Sequence, residues 1–165
     1  LAVGLSLARS LHPDIGLKWP NDLWWQERKL AGILIETASV GAARQAVIGV
    51  GVNMAPPLQS EGLRTPAAGL RELGPGIDAS AALLRLAAPL VRTLKTFETA
   101  GFSPFLAGYR ERDLLQGREV VLSDGVHGLA QGVDATGALL VHTAAGLQRV
   151  TSSDVSVRPR SDTHL

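Results

Sequence analysis

Two apolar segments joined by a short turn constrain the fold of this chain most strongly. Residues 29–37 (KLAGILIET) and 46–54 (AVIGVGVNM) are apolar at consecutive positions, and Gly41-Ala42 lies between them. A strand that is apolar on both faces is typical of the interior of a sheet, with other elements above and below it. We therefore expect two neighbouring strands of an antiparallel meander, in a sheet that is covered on both faces.

Two longer segments around this pair predict helices. Leu1–Leu11 is apolar on most faces, which is typical of a buried helix. Ala79–Thr99 carries an apolar stripe at helical spacing, with Asp78 or Ser80 in position to cap its first turn and Gly101 after its end. The stripe consists of Leu83, Leu84, Leu86, Ala87, Leu90, Val91, Leu94 and Phe97.

The other elements of this part of the chain are short. We expect strands at Ile15–Trp19 and Leu23–Gln26, a turn at Pro20-Asn21-Asp22, a hairpin tip at Glu27-Arg28, a long loop over Pro56–Pro75 and a helix over Pro104–Arg112. Long loops in compact domains often act as functional lids.

From Gly117 onward, short strand patterns alternate with turn residues, which predicts a small β-barrel. Asp124-Gly125 and Thr136-Gly137 lie where hairpin turns belong. The strands are expected at Glu119–Leu122, Gly128–Val133, Ala138–His142, Gln148–Val150 and Val155–Val157. The sequence thus predicts an α+β domain over 1–114, a barrel over 115–160 and a tail at 161–165.

Composition argues against several function classes. With 16 basic and 15 acidic residues, the chain carries a net charge of +1, which gives no reason to expect a nucleic acid or an anionic membrane as partner. No cysteine is present, so disulfides and thiolate chemistry are excluded, as suits a cytoplasmic protein. The four histidines lack the spacing of a metal-ligand pair, so no built-in metal site is expected.

The first residue of the chain is Leu1 and not methionine. Its apolar start lacks the basic residues of a signal peptide, and no apolar run reaches the roughly 18 to 20 residues of a membrane span. We interpret the chain as part of a longer protein.

Lysine is rare in this chain, and its positions are informative. Only Lys18, Lys29 and Lys95 occur among the 16 basic residues. Lys18 and Lys29 lie in the most structured apolar stretch. A lysine ammonium suits a carboxylate or phosphate oxygen that moves during a reaction. From composition alone, a solvated strand end remains an equal alternative for Lys29 and the better one for Lys18.

Glycines on the predicted strands suggest a flat surface. Because alternate residues share a face, Gly49, Gly51 and Asn53 point the same way, and Gly32 lies between Leu30 and Leu34 on the preceding strand. Glycine weakens a strand and often marks a close approach by a ligand or another backbone. A floor for a ring system and a pair of bulges both fit this pattern.

The segment Lys18–Asp22 (KWPND) places polar residues at the first turn of the meander. Asn21 and Asp22 are ordinary turn formers, yet Asp22 has Lys18 and Lys29 as expected neighbours. A carboxylate between cations can orient an ammonium group. The three tryptophans (Trp19, Trp24 and Trp25) are interpreted as packing residues.

Three segments together resemble the central strands of biotin protein ligases. These are Lys18–Asp22 (KWPND), Lys29–Glu36 (KLAGILIE) and Ile48–Met54 (IGVGVNM), in that order and with similar gaps. The tail is similar to the SH3-like barrel of the same family. It contributes Leu115–Val121 (LQGREVV), Gly132–Val141 (GVDATGALLV) and Val155–Arg158 (VSVR).

The resemblance implies an α+β fold with a mixed or antiparallel sheet covered by helices, truncated at its N-terminal side and followed by an SH3-like barrel. It implies ATP-dependent formation of biotinyl-5′-adenylate and transfer of biotin to a lysine of a biotin carboxyl carrier protein, the acetyl-CoA carboxylase subunit. Biotin, ATP and Mg²⁺ would be bound, and a homodimer is possible.

The resemblance also assigns roles to single residues. Lys29 would contact the biotin carboxylate and the adenylate phosphate as the catalytic residue. The biotin site would be formed by Lys29, Gly32, Leu34, Gly49 and Gly51, and the nucleotide site by Lys18, Asn21, Asp22, Asn53 and Arg158. No protein-bound metal is implied beyond the magnesium ion of the nucleotide.

The sequence also departs from the family pattern. The Gly/Arg-rich loop and the hydroxyl-bearing strand that precede this region in the family are not among these residues. Ala67-Ala68-Gly69-Leu70 stands where hydroxyl residues usually precede the leucine, and Ser153-Asp154 stands where Gly-Glu is common. These residues therefore supply roughly half of the expected active site.

Three alternatives remain open at this point. A lipoate protein ligase has a related catalytic fold, and KWPND with KLAGIL favours biotin. A non-catalytic module would keep Lys29 and the glycines without using them. A biotin-responsive repressor would need an N-terminal helix-turn-helix, on which these residues are silent.

Overall fold

The computed structural model describes residues 1–41, 43–57, 65–74, 76–151 and 158–159. The helices are α1 (Ala2–Leu11), α2 (Leu70–Leu73), α3 (Ala79–Ala100) and α4 (Leu106–Arg110), with a 3₁₀ turn at Ser103–Phe105. The strands are β1 (Gly16–Lys18), β2 (Asp22–Trp25), β3 (Arg28–Val40), β4 (Ala43–Val52), β5 (Glu119–Val121), β6 (His127–Val133), β7 (Leu139–Thr143), β8 (Gly146–Val150) and β9 (Arg158–Pro159).

The first sheet is an antiparallel meander with the strand order β1-β2-β3-β4. The pairing of β3 with β4 runs from Ala31 opposite Val52 to Val40 opposite Ala43. The sequence predicted that β3 ends near residue 37 and that β4 begins near residue 46. In the structure both strands continue to the turn between Val40 and Ala43. The α+β class and the antiparallel meander are confirmed.

Helix α1 packs on one face of this sheet. The side chains of Leu17 and Ile33 lie 3.4 and 3.5 Å from the place where a Cβ on Gly4 would stand, so the helix approaches the strands closely. The opposite face is open, since Leu34 is 64% and Val47 is 69% exposed. The prediction that both faces are covered was therefore wrong for the described residues, because their helices lie on one side only.

Helix α3 begins where the sequence predicted. The Asp78 carboxylate accepts a hydrogen bond of 2.7 Å from the Ala81 amide, which satisfies a free donor of the first turn. Only part of the predicted stripe is buried. Within the stripe Leu86 is buried, whereas Leu83, Leu84 and Val91 are exposed; Ala82, which the predicted stripe did not include, is also buried. Among the described helices α1 makes the main contact with α3 and covers one row of residues at i and i+4, so the other side of the stripe stays exposed.

Two local predictions need correction. The hairpin between β2 and β3 turns at Gln26 and Glu27, one residue earlier than expected, with φ of 49° and 58°. Such positive values at both central residues match a type I′ turn, which suits the twist of the strands. The predicted loop Pro56–Pro75 contains α2, and Ala67 pairs with Lys29 in a parallel bridge. Residues 58–64 and 75 of this loop lie outside the described ranges.

The second sheet has the order β8-β7-β6-β5-β9, as the predicted small barrel requires. The turns at Asp124-Gly125 and Thr136-Gly137 are confirmed, and Gly125 and Gly137 have positive φ. The predicted strand Val155–Val157 lies outside the described residues. The pairing of Val121 with Arg158 returns the chain to β5.

The barrel is fastened to the first sheet by several contacts. The Trp19 indole is buried and donates a hydrogen bond of 3.1 Å to the Gly137 carbonyl. Arg118 of the barrel pairs with Glu27 at 2.9 Å, and Leu17 forms a parallel bridge with Asp113, just before the barrel begins. The guanidinium lowers the pKa of Glu27 by hydrogen bonding. The two sheets therefore share one continuous hydrophobic core.

Within the described ranges, two polar atoms near the start of the barrel are buried without a hydrogen-bond partner. Asp113 accepts a hydrogen bond of 2.9 Å from the Leu115 amide through Oδ1. Its Oδ2 atom and the Tyr109 hydroxyl are buried without a partner in the described part of the chain. Burial raises the pKa of Asp113. Burial, and then the Asp113 charge, raises the pKa of Tyr109 well above its usual value.

Asp113→Asn is expected to stabilise the fold at neutral pH, because the asparagine amide carries no charge that folding must remove from water. Because the pKa of Asp113 is raised on folding, its ionisation opposes folding above the ordinary value of 3.8. The amide keeps the acceptor for Leu115 and carries no charge. Urea unfolding of both proteins should show a gain in stability at pH 7 that shrinks as the pH falls toward 3.8 and is lost below that value. An equal gain at pH 3 would contradict this explanation.

Among the described residues, no helix is long and apolar enough to cross a membrane.

Candidate active site

An ion pair lies at the end of the meander. The Lys29 ammonium is 2.7 Å from Asp22 Oδ1, and the two side chains are 40% and 16% exposed. Asp22 begins β2 and pairs with Gly32 of β3. A Cβ on Gly32 would stand 3.4 Å from Lys29 Nζ and 3.6 Å from Asp22 Oδ1. The absence of a side chain at Gly32 therefore leaves room for the pair on this face of the sheet.

A β-bulge turns Lys29 toward this face. Trp24 pairs with Lys29 and Leu23 pairs with Ala31, so Leu30 is an extra residue on β3. Strict alternation would put Lys29 on the face opposite Gly32. The bulge reverses the alternation, as such insertions do. Leu30, which the sequence placed on the face of Gly32 and Leu34, is fully buried, whereas Leu34 is exposed. That prediction for Leu30 was wrong.

The glycines form an open floor beside the ion pair. Gly51 lies opposite Gly32, and Gly49 lies opposite Leu34. Among the described residues, a Cβ on Gly51 would meet no atom within 4 Å, and one on Gly49 would meet only Leu34, at 3.7 Å or more. Packing against the described part of the chain therefore does not explain Gly51. The flat surface that the sequence suggested is present, with Leu34 at its edge.

The predicted nucleotide residues lie on several sides of the site. Asn21 donates a hydrogen bond of 2.7 Å from Nδ2 to the Ile33 carbonyl, and Asn53 donates one of 3.2 Å to the Lys29 carbonyl. Both amides thus fasten β3. Lys18 lies over the Trp24 ring, 5.2 Å from its centroid. Arg158 belongs to β9, and its side chain lies outside what the structure describes.

The sequence did not single out the segment Thr65–Leu70, named here the strap, as a support of Lys29. The Lys29 amide donates to the Pro66 carbonyl at 2.8 Å, and its carbonyl accepts from the Ala68 amide at 2.9 Å. Glu72, in α2 behind the strap, pairs with Arg28 at 2.9 Å. The strap contacts Lys29 through backbone groups, which the side-chain pattern of the sequence does not reveal. The only sequence signal at this position was the departure from the family pattern at Ala67-Ala68.

The tryptophans act as packing residues, as predicted. Trp19 and Trp24 are buried, and Trp25 is half-buried with the Arg28 guanidinium 5.2 Å from its ring centroid. None of the three lies over the glycine floor as a stacking platform in the described contacts.

The arrangement can bind an anionic group next to a flat ring. Lys29 supplies a mobile positive charge, Asp22 orients it, and the glycines leave open space beside it. The described residues contain no cluster of three or more histidine or acidic residues that could hold a metal ion.

Two family models match the chain at the segments that build this site and the barrel. Residues 10–53 match the biotin/lipoate A/B protein ligase family, and residues 116–158 match the biotin protein ligase C-terminal domain. The first match contains Lys29, Asp22 and all three floor glycines, and the second contains the barrel. The chain belongs to the biotin protein ligase family.

Named relatives agree with this assignment to the biotin protein ligases. The chain is 35% identical over 167 residues to the bifunctional ligase/repressor BirA of Escherichia coli, covering 96% of this chain and 52% of that protein. It is 31% identical over 159 residues to the biotin–[acetyl-CoA-carboxylase] ligase of Paracoccus denitrificans, covering 92% and 66%. The chain thus spans about half the length of the first of these relatives.

Solved structures of biotin protein ligases share the fold. The enzyme of Aquifex aeolicus superposes with a TM-score of 0.83 at 27% identity, covering 96% of this chain and 73% of that one. The same enzyme in complex with biotin and ATP gives a TM-score of 0.82 at 28% identity, covering 96% and 70%.

Proposed function

We propose that this chain carries part of the active site of a biotin protein ligase that activates biotin with ATP. The observation that supports this most directly is the Lys29–Asp22 pair beside the open glycine floor, on the segment that matches the ligase family. In the proposed reaction, a biotin carboxylate oxygen attacks the α-phosphate of ATP and expels pyrophosphate. The amine of a carrier lysine then attacks the carbonyl of biotinyl-5′-adenylate and releases AMP.

Lys29 is the proposed catalytic residue. In the described structure its ammonium contacts the Asp22 carboxylate, so an arriving carboxylate or phosphate oxygen finds a cation that is already oriented. At about 4 Å and an effective dielectric constant near 20, such a charge contributes on the order of 4 kcal/mol. It accelerates the reaction to the extent that the contact strengthens as charge develops on the phosphoryl oxygens.

The glycine floor is the proposed biotin site. Gly32, Gly49 and Gly51 let the fused rings approach the backbone of β3 and β4, and Leu34 offers an apolar contact at the edge. Leu34 is 64% exposed without a ligand, so its coverage by a ring system would remove apolar surface from water.

Lys18, Asn21, Asp22, Asn53 and Arg158 are the proposed nucleotide residues. Among these five residues Asp22 alone carries a carboxylate. A site with one carboxylate fits a magnesium ion that is held mainly by nucleotide phosphates. Bound Mg²⁺ would neutralise phosphate charge.

We further propose a catalytic part over 1–114, a barrel over 115–160 and a tail at 161–165. We also propose that the protein acts in the cytoplasm and that the acceptor of biotin is a biotin carboxyl carrier protein.

The test is ATP-dependent transfer of biotin to a biotin carboxyl carrier domain, detected with streptavidin. We would compare this chain with the chain extended at its N-terminal side to the length of its relatives. Labelling by the extended form supports the proposal, and labelling by both shows that this segment is sufficient. If the folded extended form transfers lipoate, or transfers neither group, the ligase assignment for biotin is wrong.

A further inference from the structure

Lys29 lies where the regular pairing of β3 stops. The β3–β4 pairing ends with Ala31 opposite Val52, and the extra residue Leu30 interrupts the pairing with β2. Peptide groups near a bulge lose ladder partners and need others. The position of the Lys29 main chain therefore depends on contacts from outside the ladder.

Asn53 makes three hydrogen bonds beside the bulge, and two of them reach β3. Its amide donates to the Leu30 carbonyl at 2.9 Å, and its side-chain Nδ2 donates to the Lys29 carbonyl at 3.2 Å. Its own carbonyl accepts from the Leu70 amide at 2.8 Å, which holds the end of the strap. Asn53 thus joins β3, β4 and the strap at one point.

The chemistry at this position is specific for a short primary amide. The Lys29 carbonyl already accepts from Ala68, and a second bond requires another donor directed at the same oxygen. Aspartate has the same shape and lacks the donor, and glutamine is one methylene longer. No other side chain in the described ranges bonds to the Lys29 peptide.

We propose that Asn53 is a positioning residue for Lys29. Its side-chain amide holds the Lys29 carbonyl and thereby keeps the ammonium at Asp22 and over Gly32. This deepens the proposed function, and it differs from the nucleotide contact assigned to Asn53 above. A pure nucleotide contact would leave Lys29 in place when Asn53 is replaced, whereas a positioning residue would not.

The chain offers a direct readout, because it contains only three lysines. In protein labelled with ¹³C at the lysine ε carbon, the NMR spectrum contains one signal for each of the three lysines. The signal of Lys29 is the one that is missing in Lys29→Arg. Asp22→Asn defines the signal of an unpaired Lys29. In Asn53→Ala we expect the Lys29 signal to move toward that reference, while the signals of Lys18 and Lys95 stay.

Thr143→Val is the matched control. Thr143 is also a buried polar residue that bonds to a backbone carbonyl, that of Gly146 at 3.0 Å, but it lies in the barrel. Its loss should lower stability without moving the Lys29 signal. If Asn53→Ala does not fold, the Lys29 signal is measured in Asn53→Ser instead, and the same shift is expected. A Lys29 signal that coincides with the wild-type signal in a folded Asn53 variant overturns the proposal.

Kinetics of the extended chain provide the second arm. We expect Asn53→Ala to lower kcat for adenylate formation about ten- to a hundred-fold, since small displacements of a catalytic group have effects of this size. The KM for biotin should rise by a smaller factor than kcat falls, because Lys29 is only one member of the proposed biotin site. A raised KM for ATP with unchanged kcat would indicate a nucleotide contact and overturn the positioning role. If the unsubstituted extended chain is inactive, the proposed function fails, and the spectra still test the positioning.

Discussion

Lys29→Ala in the extended chain is expected to lower the rate of biotinyl-adenylate formation at least ten- to a hundred-fold. Loss of one charge-assisted hydrogen bond costs about 1.5–3 kcal/mol, and each 1.4 kcal/mol is a factor of ten in rate. The ammonium is the cation that the structure places beside the glycine floor. Pyrophosphate release at saturating biotin and ATP measures the effect.

Lys95→Ala is the matched control for this variant. Lys95 is exposed on α3, so its loss should change neither stability nor rate. Lys29→Arg adds a further test, because a planar guanidinium keeps the charge and loses the compact shape of the ammonium. An unchanged adenylation rate in folded Lys29→Ala protein would remove Lys29 from the mechanism.

Gly51→Val is expected to abolish tight binding of biotin while the protein stays folded. A Cβ at Gly51 would meet no atom of the described ranges within 4 Å, so a valine side chain has room there, and valine suits a strand. Its methyl groups would fill the space that the biotin rings need. Overfilling a close contact costs about 1–3 kcal/mol, which corresponds to about ten- to a hundred-fold in Kd. Calorimetric titration of the extended chain with biotin measures the loss.

Gly128→Val separates this effect from a general intolerance of strand glycines. A Cβ on Gly128 of β6 would stand 2.5 Å from Val141 Cγ1 and 2.7 Å from the His142 carbonyl oxygen. That valine should destabilise the barrel, whereas Gly51→Val should leave the thermal midpoint within a few degrees. Wild-type biotin affinity in folded Gly51→Val protein would show that the floor is not the biotin site.

Much of the fold follows from short-range patterns that the sequence displays. Helix α3 has its cap at Asp78, and the hairpin turns at Asp124-Gly125 and Thr136-Gly137 lie as predicted. The face shared by Gly49 and Gly51 also follows, because β4 runs without interruption and alternation holds along it. In each case one local rule decides the outcome, and neighbouring residues suffice to apply it.

Burial of the apolar stripe on α3 depends on partners that a local pattern does not specify. The sequence shows that Leu83, Leu84 and Leu86 lie at helical spacing, but only Leu86 is buried. Which row is covered depends on where α1 packs. The exposure of Leu34 also depends on tertiary packing. Its strand β3 is apolar on both faces, but the described helices cover only one of them.

The sequence by itself determined the chemical groups of the candidate site: a rare lysine, a neighbouring aspartate and a face without side chains. The pairing of Lys29 with Asp22 was also expected from the sequence, but only the tertiary structure decided that the pair lies on the face of Gly32. Simple alternation would have turned Lys29 away from Gly32, and the bulge at Leu30 reverses that direction. Hydrogen bonds from Asn53 and from the strap hold the bulge in place. The strap comes well after β4 in the sequence. These hydrogen bonds come from segments that lie far from Lys29 along the chain, so the pattern of β3 alone does not reveal the bulge.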